Sequence, residues 1–233
     1  DADGNVYIAD AKDRVVYRVG PGGALTVVAG KPGQQALPTP GPAVDSALSA
    51  PSALTVDRRG DLYIADSGAT HAVLKVDGAG TLSVVAGVPG QYELPPISGP
   101  ATSSQLRSPS ALAADGDDLY IADRWHSVVS RVRDGNLSIV AGRSGVLAPP
   151  LLGPATASGL FLPTGVAADG NGGVFIADTY NHVVSKVDAA GDLSIVAGTG
   201  TFEVPFEDEA QFVPLGLPAG LVVDADGNLY IAD

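Results

Sequence analysis

Five aspartates, Asp10, Asp66, Asp123, Asp178 and Asp233, each close a copy of Tyr-Ile-Ala-Asp or its Phe variant, and they recur every 55 to 57 residues. Carboxylates at a fixed interval could line a ring and hold a hard cation. Three histidines, His71, His126 and His182, follow shortly after three of these aspartates and could be read as zinc ligands. The Asp-Ala-Asp-Gly-Asn stretches at Asp1 and Asp224 place oxygen side chains at alternate positions, as the opening of a calcium loop does.

Each of these readings meets a physical objection. A residue identical in every copy is expected to do the same structural job in each. That job would be capping turn N–H groups or pairing with the basic residue that recurs once per copy (Arg18, Lys75, Arg131, Lys186). Stacked sheets lie about 10 Å apart, whereas zinc ligands must come within about 2.1 Å of one ion, so equivalent histidines of successive copies should not converge. In the Asp-Ala-Asp-Gly-Asn stretches glycine comes fourth rather than sixth and no bidentate Glu follows, so a plain hairpin turn is expected. No nucleophile elbow, P-loop or dinucleotide fingerprint is present. No catalytic residue, metal ligand or cofactor is assigned.

The repeat dictates the elements that carry these residues. In the second copy, Pro51 to Asp57 and Asp61 to Asp66 are short apolar runs joined by Arg58-Arg59-Gly60, which predicts a hairpin. Ala72 to Asp77 and Thr81 to Gly87, joined through Gly78 to Gly80, predict a second, making a four-stranded unit. The runs are apolar on consecutive residues, so both faces of each sheet should be covered. Antiparallel four-stranded sheets stacked in series predict an all-β chain, a β-propeller with repeats at 1–50, 51–108, 109–162 and 163–217 and a partial repeat at 218–233. Asn5 to Ala9 and Asn228 to Ala232 are copies of one strand and cannot fill one slot in a closed four-bladed ring. An arc excerpted from a longer, six-bladed array is therefore expected, with Gly220 to Val223 not paired to Asn5 to Ala9.

Between units run Pro- and Gly-rich loops of roughly twenty residues, at 31–50, 88–108, 143–162 and 199–217. Three contain Gly-Pro-Ala followed by small polar residues, which could open one helical turn. The fourth departs, being aromatic and acidic.

Net charge is −13, and its long-range field argues against a nucleic-acid partner. The absence of cysteine excludes disulfides and thiolate metal sites, and no apolar run approaches the roughly 20 residues of a membrane span. The chain has no methionine and opens inside a repeat, so it reads as an excerpt, outside which a signal peptide, anchor or further domains could lie, and localisation stays open. Oligomeric state stays open.

The segment Ala177 to Asp188, preceded by Gly-Pro-Ala-Thr and Pro-Thr-Gly-Val-Ala-Ala-Asp and followed by Gly-Asp-Leu-Ser-Ile-Val-Ala-Gly, resembles the NHL-repeat family, and the likeness runs through the whole chain. The namesake Asn-His occurs literally only at Asn181-His182. Its counterparts are Asp13-Arg14, Thr70-His71 and His126-Ser127, and the family's following Arg is replaced by Val15, Ala72, Val128 and Val183. The resemblance implies a propeller, commonly six-bladed, that presents one face to a protein, RNA or glycan partner, and it favours an extracellular or cell-surface location.

The long interblade loops and the loops after the Tyr-Ile-Ala-Asp strands should leave from the same end of the sheets. Trp125 stands where the other copies have Lys12, Gly68 and Tyr180, so the blade does not dictate it. The expected binding surface centres on Trp125, His126, Tyr180, Asn181 and His182, with Tyr92 and Phe202 from the long loops. The function expected is a non-catalytic module for a protein or glycan; the rival is a metal-dependent lyase or lactonase of propeller type.

Overall fold

The computed structural model describes residues 1–201 and 209–233. Among these residues every regular element is a β-strand or a three-residue 3-10 turn. The first unit has three strands, Val6–Asp10, Val15–Val19 and Leu25–Ala29. The second has Pro51–Val56, Leu62–Asp66, Ala72–Val76 and Thr81–Ala86. The third has Pro109–Asp115, Asp118–Asp123, Val128–Arg133 and Asn136–Ala141. The fourth has Gly165–Ala168, Val174–Asp178, Val183–Val187 and Asp192–Ala197. Each is an antiparallel meander in sequence order, and Gly220–Val223 with Leu229–Ala232 forms a last hairpin.

Six of the short turns are each organised by one carboxylate. Asp57 Oδ1 accepts the N–H groups of Arg59 (2.9 Å) and Asp61 (3.0 Å), and the same i+2, i+4 pattern recurs on Asp1, Asp77, Asp169, Asp188 and Asp224. Both Asp-Ala-Asp-Gly-Asn stretches are thus plain turns whose first aspartate is occupied by its own backbone. The recurring basic residues meet the turn aspartates, with Lys75 on Asp61 and Lys186 on Asp169, both at 2.9 Å. Of the two jobs foreseen for the Tyr-Ile-Ala-Asp carboxylates, pairing with that residue is therefore not the one they do.

The cores lie between sheets. Ala65, Val73, Leu112, Leu119, Ile121 and Leu137 pack units two and three together, and equivalent clusters join the first to the second, the third to the fourth, and the fourth to the last hairpin. Both faces of the inner units are covered, as the consecutive apolar runs require. The outermost sheets differ: Val6, Ile8, Val222 and Tyr230 are exposed because no further sheet lies against them. Gly220–Val223 pairs only with Leu229–Ala232, Val6–Asp10 only with Val15–Val19, and no sheet closes.

The second half of each long loop is structural. Gly41–Pro42, Gly99–Pro100 and Gly153–Pro154 each add a two-residue strand to the outer edge of the following unit. The single helical turn does open there, as 3-10 turns at Ala43–Asp45, Ala101–Ser103 and Ala155–Ala157. The turn's first alanine links two units. Ala101 donates its N–H to Gly135 O of its own unit and accepts Gly87 N–H of the preceding one, at 2.9 and 3.0 Å. Leu48, Leu106 and Leu160, five residues on, are fully buried anchors. The divergent fourth loop keeps this plan, since Ala210 accepts Gly198 N–H and Leu215 is buried.

Candidate binding face

The strand directions and the loop hydrogen bonds put the long loops and the loops after Tyr-Ile-Ala-Asp at one end of the sheets. Gly33, Gly90 and Gly145 of the long loops donate N–H to the carbonyls of Asp13, Thr70 and His126. At this end three of the repeated carboxylates are buried caps. Asp66 accepts Ser49 N–H (2.9 Å) and Ala50 N–H (2.6 Å), Asp123 accepts Arg107 N–H (2.9 Å), and Asp178 accepts Phe161 N–H (2.6 Å). Each ties the start of its own unit's first strand to the end of its second.

The residue that follows completes the cap. His126 Nδ1 lies 2.8 Å from Asp123 Oδ2, and Asn181 Nδ2 donates to Asp178 Oδ2 at 2.7 Å and to Ala148 O at 2.8 Å. Both side chains are buried, so within the expected surface they act as struts under the loop. Arg14, His71, Ser127 and His182 follow in the left-handed conformation, with φ between 51° and 61°. Ser108 N–H donates to His71 Nδ1 at 3.0 Å, and His182 Nδ1 meets Gly216 O. Each histidine is engaged locally, and among the described residues no group of three His, Cys, Asp or Glu is placed to hold a metal.

Burial raises the Asp123 carboxyl above its usual range, opposed by its hydrogen bond and charge interaction with His126. Burial also raises Asp178, to about 6, against the Asn181 and Phe161 hydrogen bonds. An acid whose folded pKa is raised stabilises fully below its unfolded value and loses that contribution as pH rises through the folded one. Stability is therefore expected to fall between about pH 4 and pH 6, with Asp178 contributing on the order of 3 kcal/mol at most. Urea titrations across that range check it. Asp178→Asn should flatten the slope, and an unchanged slope in that variant would assign the dependence elsewhere.

Three of the expected surface residues are exposed: Trp125 at 52%, Tyr180 at 42% and Tyr92 at 38%. They fall in two clusters. Tyr180 packs on Phe161 with ring centroids 5.3 Å apart and, with Pro149, Leu152, Ile195 and Phe212, lines a concavity of 660 Å³. Trp125 donates its backbone N–H to Arg107 O, and the Arg124 guanidinium lies 5.7 Å from its ring. Arg107 reaches to 6.0 Å from the Tyr92 ring, which packs 4.3 Å from His71. Burial, then Arg107, lowers the His71 pKa, keeping that ring neutral at pH 7. Phe202 lies outside the described residues. Arg107, Arg124 and His71 lie beside these rings but were not among the expected residues. The signal was present, since Arg107 occupies the position of Ser49, Phe161 and Gly216 and varies as Trp125 does.

Residues 162–186 match the NHL repeat family model. Over 271 residues the chain is 29% identical to teneurin-4 of Mus musculus, covering 99% of this chain and 10% of teneurin-4. A Bacteroides thetaiotaomicron protein of unknown function superposes with a TM-score of 0.72 at 19% identity, over 98% of this chain and 54% of that one. A gluconolactonase of Xanthomonas campestris does so with a TM-score of 0.63 at 18% identity, over 100% and 66%. This chain thus spans about a tenth of teneurin-4 and about half of the Bacteroides protein, and the two structural likenesses concern fold alone. One copy, residues 162–186, matches that repeat, its strands and closing aspartate recur along the rest of the chain, and the fold is propeller-like.

Proposed function

We propose that the chain is a non-catalytic interaction module that binds a protein or glycan through its long-loop end, as the extracellular sensor or adhesion part of a larger protein. The observation that carries this reading is Trp125, an exposed indole on a loop whose next residue, His126, is buried and held by Asp123. A rigid scaffold with variable loops favours recognition, and an aromatic anchor desolvated on binding contributes about 2 kcal/mol. Trp125→Ala is therefore expected to weaken partner binding at least about tenfold while leaving the thermal midpoint unchanged. Partners selected from a glycan panel and a library of purified ectodomains provide the measurement. A variant that unfolds, with no separate loss of binding, makes Trp125 a packing residue.

The fold shared with a gluconolactonase favours a second reading, a metal-dependent lyase or lactonase. Metal analysis of the full-length protein together with a lactone turnover assay separates the two. One stoichiometric zinc or calcium with turnover supports the enzyme, and background turnover in metal-supplemented protein supports the module. The exposed Val6, Ile8, Val222 and Tyr230 favour our further proposal that these sheets are an arc of a larger, six-bladed ring.

A further inference from the structure

Charge is divided between the two ends of the sheets. Six Lys or Arg side chains form ion pairs among the described residues, and all six sit by the short hairpin turns, on Asp61, Asp115, Asp117, Asp118 and Asp169. At the opposite end, between units two and three, Arg107 and Arg124 make no ion pair. The nearest recurring carboxylates, Asp66 and Asp123, are fully buried and occupied as caps. The Arg124 Nε is itself buried without a hydrogen-bond partner. A chain of net charge −13 thus presents two uncompensated guanidinium groups beside its one exposed indole.

Next to them is a concavity of 420 Å³ lined by Gly90, Gln91, Tyr92, Glu93, Leu94 and Gln105. Gln105 accepts Leu94 N–H and donates to Gln91 Oε1, which orients both amides. Side-chain amides, aromatic faces and an arginine fork match the hydroxyls, apolar C–H face and carboxylate of an acidic sugar. Glu93 is the one acid in this lining and disfavours a densely charged ligand. An acidic peptide fits less well, because it would offer carboxylates without the apolar C–H face that the Trp125 and Tyr92 rings are placed to stack on.

We propose that the face formed by Tyr92, Arg107, Arg124 and Trp125 binds a carboxylated glycan, with the indole as stacking platform and the two arginines as carboxylate partners. The proposal rests on the loop end being a binding surface and adds the ligand class.

As the only tryptophan, Trp125 reports on its own site. Its emission can be titrated, in the presence of a chelator, with a short oligogalacturonate, a neutral oligogalactose of matched length and a poly-Glu peptide of matched charge, with calorimetry in parallel. The oligogalacturonate is expected to shift the emission and to bind at least tenfold more tightly than the other two, less so as salt is raised. Arg107→Gln and Arg124→Gln should each weaken it at least fivefold without moving the thermal midpoint. Equal binding of the neutral sugar, untouched by the arginine variants, would overturn the acidic specificity while leaving the loop end as a binding surface. Tighter binding of poly-Glu would overturn the glycan. No response to any of the three overturns the proposal outright. Calorimetric binding unchanged in Trp125→Ala would instead sink the loop-end reading on which it rests.

Discussion

Gly142→Ala should lower unfolding free energy by about 3 kcal/mol or more, enough to unfold a marginal chain at room temperature. Gly142 closes the outer strand of the third unit at φ +87°, and an added Cβ would run into the carbonyl oxygen of Ser127 and lie 2.9 Å from Val128 Cα. Both belong to the backbone at the head of the adjacent strand, which cannot yield as a side-chain tip can. Two costs combine: about 1–3 kcal/mol of strain for a non-glycine residue at positive φ, and displacement of a strand packed on both sides. Gly30, Gly87 and Gly198 make the same close approach to the preceding strand's head in the other units. Gly116→Ala is the control, because it shares the positive φ, at +60°, but its Cβ would meet nothing within 4 Å. Urea midpoints of the two variants separate the terms, and equal losses would show that the contact with Ser127 contributes nothing.

Asp66→Ala is expected to cost a further comparable amount, about 3 kcal/mol, by a different route. The carboxylate is fully buried and takes the N–H groups of Ser49 and Ala50. Removing it orphans both donors in a site closed to water, at about 1–3 kcal/mol each. Asp66→Asn keeps one acceptor oxygen but points amide hydrogens at the second donor, so its loss should fall between wild type and alanine. Binding at the loop end, measured per folded molecule at low temperature, should be unchanged in both. A variant of wild-type stability that has lost binding would return Asp66 to the role of a functional carboxylate.

Much of the fold was legible because the chain states it repeatedly. Asp10, Asp66, Asp123, Asp178 and Asp233 are identical while the residues around them vary, and a cap on turn N–H groups is what the structure shows for them. The Gly-Pro edge strands were not legible: two residues carry no hydrophobic period, and their partner strand lies about forty residues downstream at Thr81–Ala86. Nor was the fourth loop's plan, since Glu-Ala-Gln-Phe bears no likeness to Pro-Ala-Thr-Ala, yet Ala210 and Leu215 stand where Ala155 and Leu160 do. For the candidate surface, variation among copies pointed to Trp125 and Tyr180, and both side chains are exposed. It could not separate a polar side chain facing solvent from one serving a buried carboxylate, and so His126 and Asn181 were counted among the contact residues. A hydrogen-bonding side chain three residues after a buried aspartate is the pattern that distinguishes them.

The alanine that joins each loop to two units has a consequence for how order spreads along the array. Ala101 connects the hairpin of its own sheet to the last strand of the one before, so the bond it accepts from Gly87 forms only when both neighbours are in place. Coupling of this nearest-neighbour kind makes the array behave as a one-dimensional cooperative chain, in which a boundary between folded and unfolded units costs more than an unfolded unit at the end. Opening therefore moves one junction at a time, with both units of a junction losing their shared bond together. The platform that carries Trp125 and its arginines spans one such junction, between units two and three, and so persists only while the Gly87 to Ala101 bond holds those two sheets together.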